Sequence, residues 1–251
     1  MERLVAIVGQ LIVEIKSNEL SAQGGRHLIA DTRILPGGRS YRQALYAKQE
    51  GYSTILLGRI GDDHYGKIIL DSLNGLGIST QFVEVSKNEY TGISFEINRQ
   101  QEAAPSVYFD PGASTGRGEF HYLLEDYLAL CDVIILNQWL HPDLSARVLD
   151  MAAKSGIPTV YVCSAPPRDK PLEVDYLFLE AASSFRESGA VQVRKGRFLG
   201  SDGELAAYSP GGEQVYRLQL DRKWDGDYLA IRLMRSLSGT PRLEETASFE
   251  R

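Results

Sequence analysis

Cysteine is scarce: two residues, Cys131 and Cys163, in a chain of 251. Two thiols cannot build a disulfide framework or a zinc cage. Each sits beside an apolar strand-like run, which predicts buried, reduced thiols. Long apolar runs are missing too. Val133–Leu136 and Ile55–Leu57 are among the most apolar stretches, and a bilayer needs about 20 such residues. The opening Met-Glu-Arg-Leu-Val-Ala-Ile-Val-Gly lacks a long apolar core with a small-residue cleavage site, so no signal peptide is expected. Positive charge is not in excess: 27 Lys+Arg against 33 Asp+Glu leave a net charge of −6, which argues against a nucleic-acid binder. The histidines, His27, His64, His121 and His141, are dispersed without metal-ligand spacing. These features predict a cytoplasmic protein with no membrane, nucleic-acid or metal partner.

Apolar residues make up 43% of the chain and charged ones 24%, enough for a sizeable core. No internal repeat, low-complexity tract or heptad pattern is evident. Short apolar runs alternate with helical periodicity. Val5–Val8, Thr54–Leu57, Asp132–Leu136, Thr159–Cys163 and Val174–Phe178 read as strands. Ser40–Glu50, Tyr65–Leu76 (closed by Gly77) and Pro142–Ser155 (closed by Gly156) read as helices. That alternation predicts a three-layer α/β fold with a mainly parallel sheet. Two stretches, Leu11–Pro36 and Phe82–Asp110, instead show period-two alternation, as in Gly-Ile-Ser-Phe-Glu-Ile-Asn at 92–98. They read as antiparallel strands, either a small flap over one end of the sheet or edge strands.

The most specific segment is Pro-Gly-Gly-Arg-Ser-Tyr-Arg-Gln-Ala at 36–44, followed by Leu-Gly-Arg-Ile-Gly-Asp-Asp-His-Tyr-Gly at 57–66. Two glycines before a helix let a ligand approach backbone N–H groups. This run resembles the first signature of the PfkB carbohydrate kinase family, the ribokinase-like sugar kinases. Gly37, Gly38, Ala44, Gly58, Gly61, Asp63 and Gly66 fit that signature, and Pro-Gly-Ala-Ser at 111–114 resembles a later Pro-Gly-Ala-Asn. The resemblance implies a ribokinase-like three-layer α/β/α sandwich, a single domain over 1–251, with a small β-sheet lid within 11–36 and 82–110. It implies transfer of the ATP γ-phosphoryl group to a hydroxyl of a sugar or nucleoside, with Mg-ATP as cosubstrate. It also implies a possible homodimer through the lid.

The second family signature, Asp-Thr-x-Gly-Ala-Gly-Asp, is met by Asp-Arg-Lys-Trp-Asp-Gly-Asp at 221–227. By position the resemblance makes Asp227 the general base, with Trp224, Asp225 and Gly226 at the anion hole. It places Glu14, Gly37, Gly38, Arg42 and Asn137 against the substrate. Several positions depart from the pattern. Trp224 and Asp225 replace small residues, and a carboxylate where negative charge develops is repulsive. Glu-Ala-Ala-Ser at 180–183 replaces the Asn-x-x-Glu that organises magnesium, Arg42 replaces a sugar-contacting Asn, and Glu14 a shorter Asp. Mg-ATP is therefore expected to bind weakly or not at all. Asp227 also suits a plain helix cap. Arg39 and Arg42 suit either an anionic group or solvent, and Asp62 and Asp63 either a cation or turn capping. Asn137 or Trp139, just after a strand, suits a ligand pocket. Two functions remain open: a PfkB-family sugar kinase, and a non-catalytic ligand-binding or protein-interaction module (a pseudokinase) on the same scaffold.

Overall fold

A computed structural model describes residues 3–23, 26–99, 104–118, 124–164, 172–179, 191–201, 204–208, 214–219, 226–228 and 230–231. The chain begins with β1 (Arg3–Val8), β2 (Ile12–Gln23) and β3 (Arg26–Gly37). Next come α1 (Arg39–Gln49), β4 (Tyr52–Gly61), α2 (His64–Gly75) and β5 (Val83–Ser86). Then follow β6 (Thr91–Asn98), β7 (Ser106–Gly112), α3 (Leu124–Leu128), β8 (Val133–Asn137) and α4 (Pro142–Ser155). The remaining strands are β9 (Thr159–Cys163), β10 (Leu172–Leu179), β11 (Val191–Ser201), β12 (Glu204–Tyr208) and β13 (Gln214–Gln219). Residues 226–228 and 230–231 are helical. No helix of the described residues is long and apolar enough to cross a membrane.

Nine strands form one sheet in the order β13-β12-β11-β10-β9-β8-β1-β4-β5. It is parallel from β5 through to β11, and β12 and β13 close it antiparallel. The central strands are near-continuous apolar runs, as burial on both faces demands: Val5 to Val8 and Val133 to Leu136 are all buried. Alternate side chains feed two cores. Val5, Ile7, Val133 and Ile135 pack with Tyr41, Ala44, Ile69 and Leu73 of α1 and α2. Ala6, Val8, Ile134 and Leu136 pack with Leu124, Leu128, Val148 and Met151 of α3 and α4. The result is a helix–sheet–helix sandwich, with both cysteines free and buried.

A second sheet, ordered β3-β2-β6-β7, rises from the ends of β1 and α1. The hairpin β2–β3 and the pair β6–β7 are antiparallel, as the alternation predicts. β2 and β6, however, pair in parallel, from Ile12 opposite Gly92 to Asn98 opposite Asn18. Parallel neighbours need a long crossover, and α1, β4, α2 and β5 supply it. One piece of the alternating stretch goes elsewhere: Val83–Ser86 pairs in parallel with Gly58–Gly61 at the edge of the large sheet. Its four residues carry too short a pattern to choose between sheets.

Candidate functional site

The polar centre of the molecule lies where β2, β3 and α1 meet. Gly38 stands just before α1 with φ at +89°, a conformation side chains resist. A Cβ there would lie 2.7 Å from the Gln10 carbonyl oxygen. The turn aims the first turns of α1 back at β1 and β2. The Gly38 N–H donates to Glu14 Oε1 at 3.2 Å, and the Glu14 side chain lies across Gly37, where a Cβ would meet its carboxyl carbon at 2.5 Å. The pair of glycines thus admits a carboxylate of the chain itself.

Arg39, Arg42 and Gln43 are spaced to share one face of α1, and that face meets Asp227. Arg42 Nε donates to Asp227 Oδ2 at 2.9 Å, Arg39 Nη1 to Oδ1 at 3.3 Å and Gln43 Nε2 to Oδ1 at 3.0 Å. Arg42 Nη1 reaches on to Glu14 Oε1. Gln43 and Asn137 form a head-to-tail amide pair, at 3.0 and 2.8 Å, and Asn137 Nδ2 also donates to Ser40 Oγ at 3.0 Å. Asp227 is 1% exposed and Gln43 not at all. Both carboxylates are paired with arginine, and Glu14 Oε2 also lies 3.4 Å from Lys16 Nζ, which is how charge is tolerated at such burial.

The structure therefore brings together Glu14, Gly37, Gly38, Arg42, Asn137 and Asp227, all anticipated from the sequence. Gly226 lies beside Asp227 in a helical stretch. Trp224 and Asp225 lie outside the described residues, as does the 180–183 segment. Asn137 faces the cluster. Trp139, at φ +67°, is 56% exposed and sits 6.3 Å from the Phe109 ring of β7. Asp63 caps α2, accepting from Gly66 N at 2.8 Å. Sequence reasoning missed Gln43 and Ser40. Their signal was the i, i+3, i+4 spacing of 39, 40, 42 and 43, which puts all four near Asp227 or Asn137. Among the described residues, no group of three or more His, Cys, Asp and Glu is placed to hold a metal ion.

The sequence matches the model of the pfkB family carbohydrate kinase over residues 2–180. It is 30% identical to a ribokinase of Bacillus subtilis (strain 168) over 84 residues, 33% of this chain and 29% of that protein. It is 25% identical to a ribokinase of Arabidopsis thaliana over 133 residues, 51% of this chain and 35% of that one. These matches thus span about a third of each relative's length. The fold superposes on the structure of Arabidopsis thaliana ribokinase complexed with ribose and ATP with a TM-score of 0.79, at 17% identity, covering 98% of this chain and 89% of that one. It superposes on ribokinase from Giardia lamblia with a TM-score of 0.79, at 16% identity, covering 99% and 92%.

Proposed function

The chain belongs to the pfkB carbohydrate kinase family, and we propose that it binds a neutral polyhydroxylated small molecule, a sugar or nucleoside, without phosphorylating it. The observation that carries this reading is the state of Asp227: the residue is 1% exposed, and both carboxylate oxygens accept hydrogen bonds, from Arg39, Arg42 and Gln43. A general base must reach the proton it removes. Here three donors of the same chain stand in the way, and Asp227 acts as the anchor between the 226–231 segment and α1. The described charges pair with one another, and a charged ligand would have to break into those pairs, where an unbalanced charge at about 4 Å and an effective dielectric of 20 costs about 4 kcal/mol. Hydroxyl groups, which both donate and accept, suit Glu14 and Arg42 alike.

Mg-ATP belongs to the family reaction, and the Arabidopsis neighbour is described as holding ATP with ribose. Among the described residues, no cluster is placed to hold the metal, and the 180–183 and 224–225 positions lie outside them. Glu14 and Asp227 are engaged by arginines, and no acidic group of three gathers near them. No phosphoryl step is therefore assigned to this chain.

The test is calorimetry with ribose, fructose and adenosine, beside an ATP turnover assay with each. At least one ligand should bind, with no turnover above background. Asp227→Asn should leave that affinity within a few-fold. Asp227→Ala, which removes a buried carboxylate that accepts from Arg39, Arg42 and Gln43, should cost about 3–5 kcal/mol of stability. Turnover that falls about 100-fold or more in Asp227→Asn would restore Asp227 as the base and sink the proposal, as would the failure of every ligand to bind.

A further inference from the structure

The opposite face of the large sheet holds a cavity of about 340 Å³, within the range of small-ligand sites. Its floor is the middle of β4, at Leu57 and Gly58, and its walls include Phe82, Leu124 and Leu144. Leu57, Leu124, Phe82 and Leu144 belong to the core on the α3–α4 side, whereas α1 and its charged face belong to the core on the other. The cavity lies on the α3–α4 side and the Asp227 cluster on the α1 side, and they approach one another at Gly9, which lines the cavity and packs against Ser40 and Asn137.

The polar end of the cavity is at its rim. Arg59 borders it but is occupied: its guanidinium holds Glu84 Oε1 at 2.9 Å, Ser86 Oγ at 3.1 Å and the Glu89 carboxylate. Arg117 also borders it, with a side chain 80% exposed. Its Nε lies 3.4 Å from Asp143 Oδ2, in the first turn of α4, so the pair links the loop after β7 to the start of that helix. Asp143 is 51% exposed, and exposed ion pairs contribute little. A competing carboxylate can take the Arg117 fork at small cost and accept two parallel N–H bonds from it.

We propose that this cavity binds a small amphipathic carboxylate, with a short acyl chain or single ring among Leu57, Phe82, Leu124 and Leu144 and its carboxylate on Arg117. Sodium octanoate is the probe, with octan-1-ol as its neutral counterpart, both titrated into the full chain by calorimetry. Octanoate should bind saturably, one per chain. Arg117→Glu should weaken octanoate roughly tenfold or more and leave octanol unchanged. Asp143→Asn, which removes the competitor, should strengthen octanoate. Leu144→Trp, which fills the space, should abolish binding of both, with circular dichroism to confirm folding. The exposed Arg117 variant keeps the test decisive should that core variant unfold. Absence of saturable octanoate binding overturns the proposal. So does binding that survives Leu144→Trp in a folded protein, or an Arg117→Glu effect equal for octanoate and octanol.

Discussion

Asp63 ties three pieces of chain together with one carboxylate. Its Oδ1 accepts from Gly66 N and Thr91 Oγ1, each at 2.8 Å, and its Oδ2 from Thr91 N at 2.8 Å. Thr91 Oγ1 in turn accepts from Gly61 N at 2.9 Å. The start of α2, the end of β4 and the first residue of β6 are thereby locked at one point. Burial pushes the Asp63 pKa up, but the bonds from Thr91, Gly66 and Tyr65 outweigh it and leave the carboxyl below its ordinary value of 3.8. A carboxyl lowered in the folded state stabilises the fold above its unfolded pKa, and that contribution is lost as pH falls through the folded one. Asp63→Ala should therefore cost about 0.5–2 kcal/mol near neutral pH from the lost cap, and more with the Thr91 bonds. The difference from the parent should shrink below about pH 4. Denaturant melts at several pH values check this; a deficit that stays constant into acid would refute it.

At the scale of elements, α1 matters most, because it carries one face to the core and another to the charged cluster. Tyr41, Ala44 and Ala47 are buried against the sheet, while Arg39, Arg42 and Gln43 meet Asp227. Its direction depends on Gly38, so Gly38→Ala should both destabilise the fold, by about 1–3 kcal/mol of backbone strain, and weaken ligand binding at the cluster. Gly51 offers a control: its φ is +82°, yet a Cβ there meets nothing within 4 Å. Gly51→Ala should cost stability without changing ligand affinity. Thermal melts and the same sugar titrations check both; equal affinity in the two variants would detach Gly38 from the site.

For the whole molecule, the four-stranded sheet is the exposed apolar feature. Ile34 is 47% exposed and Tyr108 60%, and in register with Ile15 and Phe95 they form an apolar row across one face of it. An apolar surface of this kind on a sheet with free edges calls for cover. A second copy of the chain is the expected cover, through the lid-like sheet. Sedimentation should find a dimer, and Ile34→Glu with Tyr108→Glu should give a folded monomer. A parent that stays monomeric at high concentration would rule this out.

The middle of the large sheet, β1, β4, β8, β9 and β10, and the helices α1, α2 and α4 were legible in the sequence because each is a local pattern, whereas β11 to β13 and the short α3 were not read from it. The apolar runs at Thr159–Cys163 and Pro142–Ser155 appear as β9 and α4 with the same bounds, and Ser40–Glu50 appears as α1 shifted by one residue. The glycine pair and the acidic turn were legible too, since close approach and capping demand particular residues at fixed spacing. Two further things were not. The parallel pairing of β2 with β6 and the assignment of Val83–Ser86 to the large sheet depend on hydrogen bonds between residues far apart in the chain, which period-two alternation leaves unspecified. The partners of Asp227 were equally hidden. The sequence offered Arg39, Arg42 and Gln43 as one helix face, and Asp227 as a base or a cap. Only the packing of the 226–231 segment against α1, across a separation of more than 180 residues, decided that these charges satisfy one another, because a buried carboxylate must take whatever donors the fold brings within reach.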